Sequence, residues 1–142
     1  GSGILLAEIQ QTSDITYRIF DFNRKDKDGK LRELHTDLAL DAIDFSQKDD
    51  FYINYPKKED ELNAMVDCPY FKTTYLNLTA DFRHELQGLK SFVIYVCVAG
   101  MATIINAAGE AAISNGETVL ISADTNEVQI LTTGARFLVV DV

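Results

Sequence analysis

From Asn63 onward, apolar and polar residues alternate in short runs with glycines between them. Strand side chains point alternately to the two faces of a sheet, so such runs predict strands. Read this way, strands fall over 64–68, 71–78, 82–86, 92–98, 102–106, 110–113, 118–122, 128–131 and 136–141. Gly88, Gly100, Gly109, Gly116 and Gly134 punctuate them. Many short strands at regular spacing with glycine turns predict a sandwich or small barrel.

The first part of the chain is patterned differently. Residues 4–11 and 15–22 read as two strands joined by the turn-prone trio Thr12-Ser13-Asp14. In the first strand Glu8 and Gln10 share one face, and Ala7 and Ile9 the other. A charged loop follows over 23–29, with Asp28-Gly29 as its turn signal. Asp26, Asp28 and Gly29 echo a calcium loop, but Lys30 stands where an oxygen ligand is needed and no Glu closes the loop, so that reading fails. Leu34, Leu38, Ala39, Ala42 and Ile43 fall on one helical face. They predict a short helix packed on a sheet, with Thr36 as N-cap and Asp37 in the first turn. Residues 47–63 are polar and charged around Pro56, and predict a loop or linker with one short strand over 51–55.

Size and charge narrow the function classes. At 142 residues, 46% hydrophobic and 25% charged, the chain suits one soluble globular domain with a real core. The net charge of −9 argues against nucleic acid and anionic membrane surfaces as partners. It does not forbid a sugar phosphate, because one Arg or Lys in a cleft outweighs the global field locally. The longest apolar run, 92–98, suits a buried strand and not a membrane span, and no signal peptide is visible. Cys68 and Cys97 lie among apolar neighbours. Two reduced, buried thiols in a cytoplasmic protein is the simplest reading, and the sequence alone leaves a disulfide open.

Candidate chemistry is sparse. The two histidines, His35 and His84, have no partners at ligand spacing. His35, flanked by Glu33 and Asp37, reads as a solvated helix start, and His84 as part of a polar strand edge. No Gly-x-Ser-x-Gly and no glycine-rich phosphate loop occurs.

Two stretches resemble a known fold family. Gly116–Ala123 (GETVLISA) resembles the cupin element in which a Gly-Glu turn leads a strand towards a Pro-Ala corner, with Ser122 where Pro is usual. With Ser91–Ile104 (SFVIYVCVAGMATI) it resembles a cupin jelly roll that lacks the metal-binding histidines. The opening, GILLAEIQQTSDITYRIFDFNRKDKDGKLRELHTDLALDAI, closely resembles the bacterial type I (cupin-type) mannose-6-phosphate isomerases. The shared features are the Glu-Ile-Gln-Gln string, the Ser-Asp…Thr-Tyr-Arg hairpin, the Asp21…Arg24 loop and Arg32-Glu33-Leu34-His35.

The resemblance implies a mostly β fold: a cupin-like jelly-roll barrel with an N-terminal β-hairpin and one short helix. It implies three segments: 1–33 as the last strands of a truncated catalytic cupin, 34–62 as helix and linker, and 63–142 as a metal-free cupin-like domain. It further implies a zinc-dependent aldose–ketose isomerase that interconverts mannose 6-phosphate and fructose 6-phosphate. The zinc ligands of that family lie upstream, the last being a His just ahead of the Gly-Ile-Leu strand. That position precedes Gly1, so this chain is expected to be inactive alone and to bind no zinc. Arg18 and Glu8 match catalytic positions, and Asp14 and Gln10 supporting or substrate-binding ones. The expected ligand is a hexose phosphate. A homodimer through exposed strand edges is also expected. The rival reading is non-enzymatic: a cupin-like module for sugar binding or oligomerisation. A plain salt bridge from Arg18 to Glu8 or Asp14 is the structural alternative for those residues.

Overall fold

The structure, a computed structural model, describes residues 3–12, 15–46 and 52–142. They divide into two compact units, one of residues 1–11 with 53–142 and one of residues 12–52.

The larger unit is the jelly roll. Its strands are β1 (Leu62–Asp67), β2 (Lys72–Leu78), β3 (Phe82–Glu85), β4 (Val93–Asn106), β5 (Gly109–Ser114), β6 (Thr118–Ile121), β7 (Glu127–Leu131) and β8 (Ala135–Asp141). They pair antiparallel in the order β1-β2-β8-β4-β7-β3, with β5 and β6 also on β4. Fourteen-residue β4 is the spine. Its first half pairs with β6 over Val93–Val96, and its second with β5 over Met101–Asn106 and with β7 over Thr103–Ile105.

A bulge between Cys97 and Ala99 makes this change of partners possible. Before it Val93, Tyr95 and Cys97 are buried; after it Ala102 and Ile104 are. The extra residue bends the strand and resets its inward face. Gly100 completes the bend at φ +78, and a Cβ there would sit 2.2 Å from the Gly134 carbonyl oxygen. Sequence reasoning divides this stretch into strands 92–98 and 102–106 at Gly100. The structure joins them, because the glycine serves close approach to β8 and not a turn.

The core runs between the inward faces and includes Leu76, Tyr95, Ile113, Val128, Ile130 and Phe137. The Tyr95 and Phe137 rings meet edge to face at 6.2 Å, a favoured aromatic geometry. His84 of β3 is part-buried, with Nδ1 2.6 Å from the Tyr95 hydroxyl. Burial holds the His84 imidazole below its ordinary pKa, with the Asp141 carboxylate opposing, and burial pushes the Tyr95 phenol up. The unfolded chain therefore takes a proton near pH 6.5 that the folded chain resists. Stability is fully present above pH 6.5 and falls as the pH drops below it toward the lower folded value. Urea midpoints should decline as the pH falls below 6.5, and His84→Gln, which does not titrate, should flatten the decline. An unchanged slope in that variant would show that His84 does not carry it.

Both cysteines are free thiols, Cys97 buried and Cys68 partly so. No helix among the described residues is long and apolar enough to cross a membrane.

Among the described residues the expected N-terminal β-hairpin carries no strand. Neither 3–12 nor 15–22 carries a strand, and Ser13 and Asp14 of the expected turn lie outside the described residues. A strand exists through its ladder, and these segments have none; Ile4, Leu6, Ile15 and Ile19 are exposed. The strand expected over 51–55 is also absent from 52–55, while Phe51 lies outside the described residues. Helix α1 spans Thr36–Ala42, begins from His35 without a side-chain cap, and carries Asp37 in its first turn. Thr36 is thus inside the helix and not its N-cap. The Asp28-Gly29 turn forms: Asp26 Oδ1 accepts from the amides of Asp28 (2.8 Å) and Lys30 (2.9 Å).

Candidate functional site

Residues 18–32 carry six of the 13 Lys and Arg residues of the chain and three of its 22 Asp and Glu residues. This short stretch is locally basic in an acidic protein. Asp21 is its centre. Arg32 Nε donates to Asp21 Oδ2 at 2.6 Å and its Nη2 donates to Oδ1, a bidentate pair. Arg18 Nε lies 3.8 Å from Asp21 Oδ1. The hydrogen bonds from Arg32, with the charges of Arg18 and Arg24, hold the Asp21 carboxyl below its usual range.

A tight turn builds this node. The Arg24 amide donates to the Asp21 carbonyl at 2.9 Å, and Phe22 and Asn23 between them have φ of +49 and +54. Two successive left-handed residues mark a primed turn, and a phenylalanine there is strained. The second support is a bridge from 18 to 35. The Arg18 amide donates to His35 Nδ1 at 3.0 Å, and the His35 amide to the Arg18 carbonyl at 2.7 Å. Arg18 Nη1 donates to the Glu33 carbonyl at 2.9 Å. The half-buried guanidinium is thus held from two sides, by contacts through Nε and one terminal nitrogen of a group with five donors.

Glu8 and Gln10 are exposed and belong to the jelly-roll unit. Glu8 lines an open cavity of about 230 Å³ with Leu6, Val96, Cys97, Gly116 and Thr118. Asp14 lies outside the described residues. Among the described residues the Arg18 guanidinium meets the Asp21 carboxylate and the Glu33 carbonyl.

A profile of the mannose-6-phosphate isomerase cupin domain matches residues 60–141, the jelly roll from β1 to β8. The chain belongs to this family. Among curated proteins, mannose-6-phosphate isomerase ManA of Bacillus subtilis is 35% identical over 108 residues, covering 75% of this chain and 34% of the relative. Mannose-6-phosphate isomerase of Streptococcus mutans is 25% identical over 122 residues, covering 85% of this chain and 38% of the relative. The chain therefore spans about a third of the length of these relatives. Among solved structures, the mannose 6-phosphate isomerase of Bacillus subtilis superposes with a TM-score of 0.63 at 22% identity, over 92% of this chain and 41% of that one. That likeness speaks to the fold: a mostly β, cupin-type barrel with one short helix.

Among the described residues no three His, Cys, Asp or Glu side chains gather as a metal would need. His35 Nδ1 is taken by the Arg18 amide and His84 Nδ1 by Tyr95. These residues do not fit a zinc ion.

Sequence reasoning names Arg18 but assigns no role to Asp21 or Arg32 and reads His35 as a solvated helix start; Asp21 and His35 contact Arg18, and Arg32 holds Asp21. The signal was present as an acid among Arg18, Arg24 and Arg32. Bringing them together needs the left-handed turn at Phe22-Asn23, which phenylalanine disfavours.

Proposed function

We propose that this chain is the C-terminal part of a mannose-6-phosphate isomerase that interconverts mannose 6-phosphate and fructose 6-phosphate by proton transfer through an enediol. The observation that carries the reading is the arginine node of residues 18–35 in a chain of this family. In this reading residues 1–33 complete an upstream catalytic barrel, 34–62 connect, and 63–142 form the second cupin-like domain. The exposed Ile15, Ile19, Phe20, Phe22, Leu31 and Phe45 support it, since so much apolar surface in one short unit calls for cover.

Moving a proton between C1 and C2 needs a base, stabilisation of the developing oxyanion and a grip on the phosphate. Arg18 supplies permanent charge in a fork that suits oxyanions. Asp21 and the Glu33 carbonyl hold that fork in position. Glu8 is assigned a role as a proton-handling or orienting carboxylate, with Gln10 and Asp14 in support. Zinc, in this reading, is held by residues outside this chain. The chain alone is expected to be inactive and the protein to work in the cytoplasm.

The route can be tested in deuterium oxide, with the polypeptide extended upstream to the length of the relatives. Proton transfer through an enediol should place solvent deuterium on the transferred position of the sugar. Turnover with no solvent hydrogen in product or recovered substrate would contradict it.

A further inference from the structure

The jelly roll carries a second concavity, of about 640 Å³, which the isomerase reading does not use. It lies where the β4–β5 turn and the β6–β7 loop flank β7. Its apolar side is Ile105 and Ala107, and its polar side includes the amides of Gln87, Asn126 and Gln129. No hydrogen bond is made by these three side chains within the described residues.

The walls are pinned. Asn106 Oδ1 accepts from the Ala108 amide at 2.9 Å, fixing the β4–β5 turn. The Thr125 amide donates to the Ser122 carbonyl at 3.1 Å, the Leu86 amide donates to the Asn126 carbonyl at 2.7 Å, and the Ser122 hydroxyl donates to Asp124. Ile105 and Gln129 are register partners of β4 and β7, so apolar and amide surface stand side by side on a rigid ladder. A surface ordered before binding loses less entropy when a ligand arrives.

Charge selects the class of ligand. No Lys or Arg lines the concavity, while Asp124 and Glu127 do. Glu127 is ion-paired to Arg83, leaving Asp124 as the carboxylate without a cation. An anion is disfavoured, and one carboxylate is too few for a hard divalent cation. Planar amides that give and take hydrogen bonds and a carboxylate that accepts them, beside a small apolar patch, match the hydroxyls and C–H face of an uncharged sugar.

We propose that this concavity binds a neutral monosaccharide and discriminates against its phosphorylated form. This is independent of the isomerase reading and concerns a different unit from the Arg18 node. Titrating the full 15N-labelled chain with D-mannose at low salt should give saturable amide shifts confined to 105–108 and 122–129, with Kd of roughly millimolar order for so open a site. Asn126→Ala and Gln129→Ala should each weaken binding by about fivefold or more, with the rest of the spectrum unchanged. D-mannose 6-phosphate should bind more weakly than D-mannose. Linear, unsaturable shifts, shifts centred elsewhere, or a phosphorylated sugar bound as tightly as the neutral one would each overturn the proposal.

Discussion

Replacing Gly100 with alanine should cost the jelly roll about 4 kcal/mol or more, among the larger effects of single substitutions. Two causes add. The backbone at φ +78 disfavours any L side chain, which costs about 1–2 kcal/mol. The new methyl would also stand 2.2 Å from the Gly134 oxygen and 2.9 Å from the Ala135 Cα. Both are backbone atoms of the β8 start, so neither swings aside as a flexible side chain would. Relief requires separating β4 from β8 at the Gly100–Ala135 pair, beside the buried Phe137. Gly116 separates the two causes. It has φ +89 with nothing within 4 Å of a Cβ, so Gly116→Ala carries the backbone term alone. Thermal melts should show Gly116→Ala lowered by a few degrees, and Gly100→Ala by about 10–20 °C or without a cooperative transition. Equal melts for the two would show that the β8 start yields easily.

The second large effect is on turnover. In the polypeptide extended to the length of the relatives, Arg18→Ala should lower kcat/KM by about 10²–10³, the usual loss when one preorganised donor to a developing oxyanion is removed. Arg18→Lys should recover little, because an ammonium cannot reproduce the fork that Glu33 and Asp21 orient. A purely structural role predicts another pattern. The Arg18–Asp21 contact is partly exposed, and such pairs contribute about 0–1 kcal/mol. The melting temperature of Arg18→Ala should therefore move little while activity collapses. If activity falls only in proportion to the folded fraction, Arg18 is structural. Asp21→Asn gives the companion result: it keeps the shape and removes the charge, so it should loosen Arg18 and produce a smaller loss of kcat/KM.

The jelly roll was legible in the sequence because each strand carries its own signal. In β7, Val128 and Ile130 point inward and Glu127 and Gln129 outward, and the alternation alone places them. Gly100 was visible but ambiguous. A glycine between two apolar runs marks either a turn or a close approach, and only the β8 backbone beside it decides. The opening segment departs from its pattern for a related reason. Alternation in 4–11 and 15–22 expresses a capacity to pair, whereas pairing itself depends on a neighbouring edge that local sequence does not encode. The site was legible to the same degree. The resemblance of the opening segment singled out Arg18, but its partners Asp21 and Glu33 follow from a left-handed turn at Phe22-Asn23 that residue preferences argue against.

In the proposed reading this chain contributes to mannose 6-phosphate isomerisation only as part of a longer polypeptide. The direct measurement is fructose 6-phosphate formation from mannose 6-phosphate with added zinc, on this chain and on the upstream-extended polypeptide side by side. Turnover is expected from the extended polypeptide and none from the chain alone. Turnover by neither would contradict the isomerase reading, and full turnover by the chain alone would contradict the assignment of the zinc ligands to residues outside it.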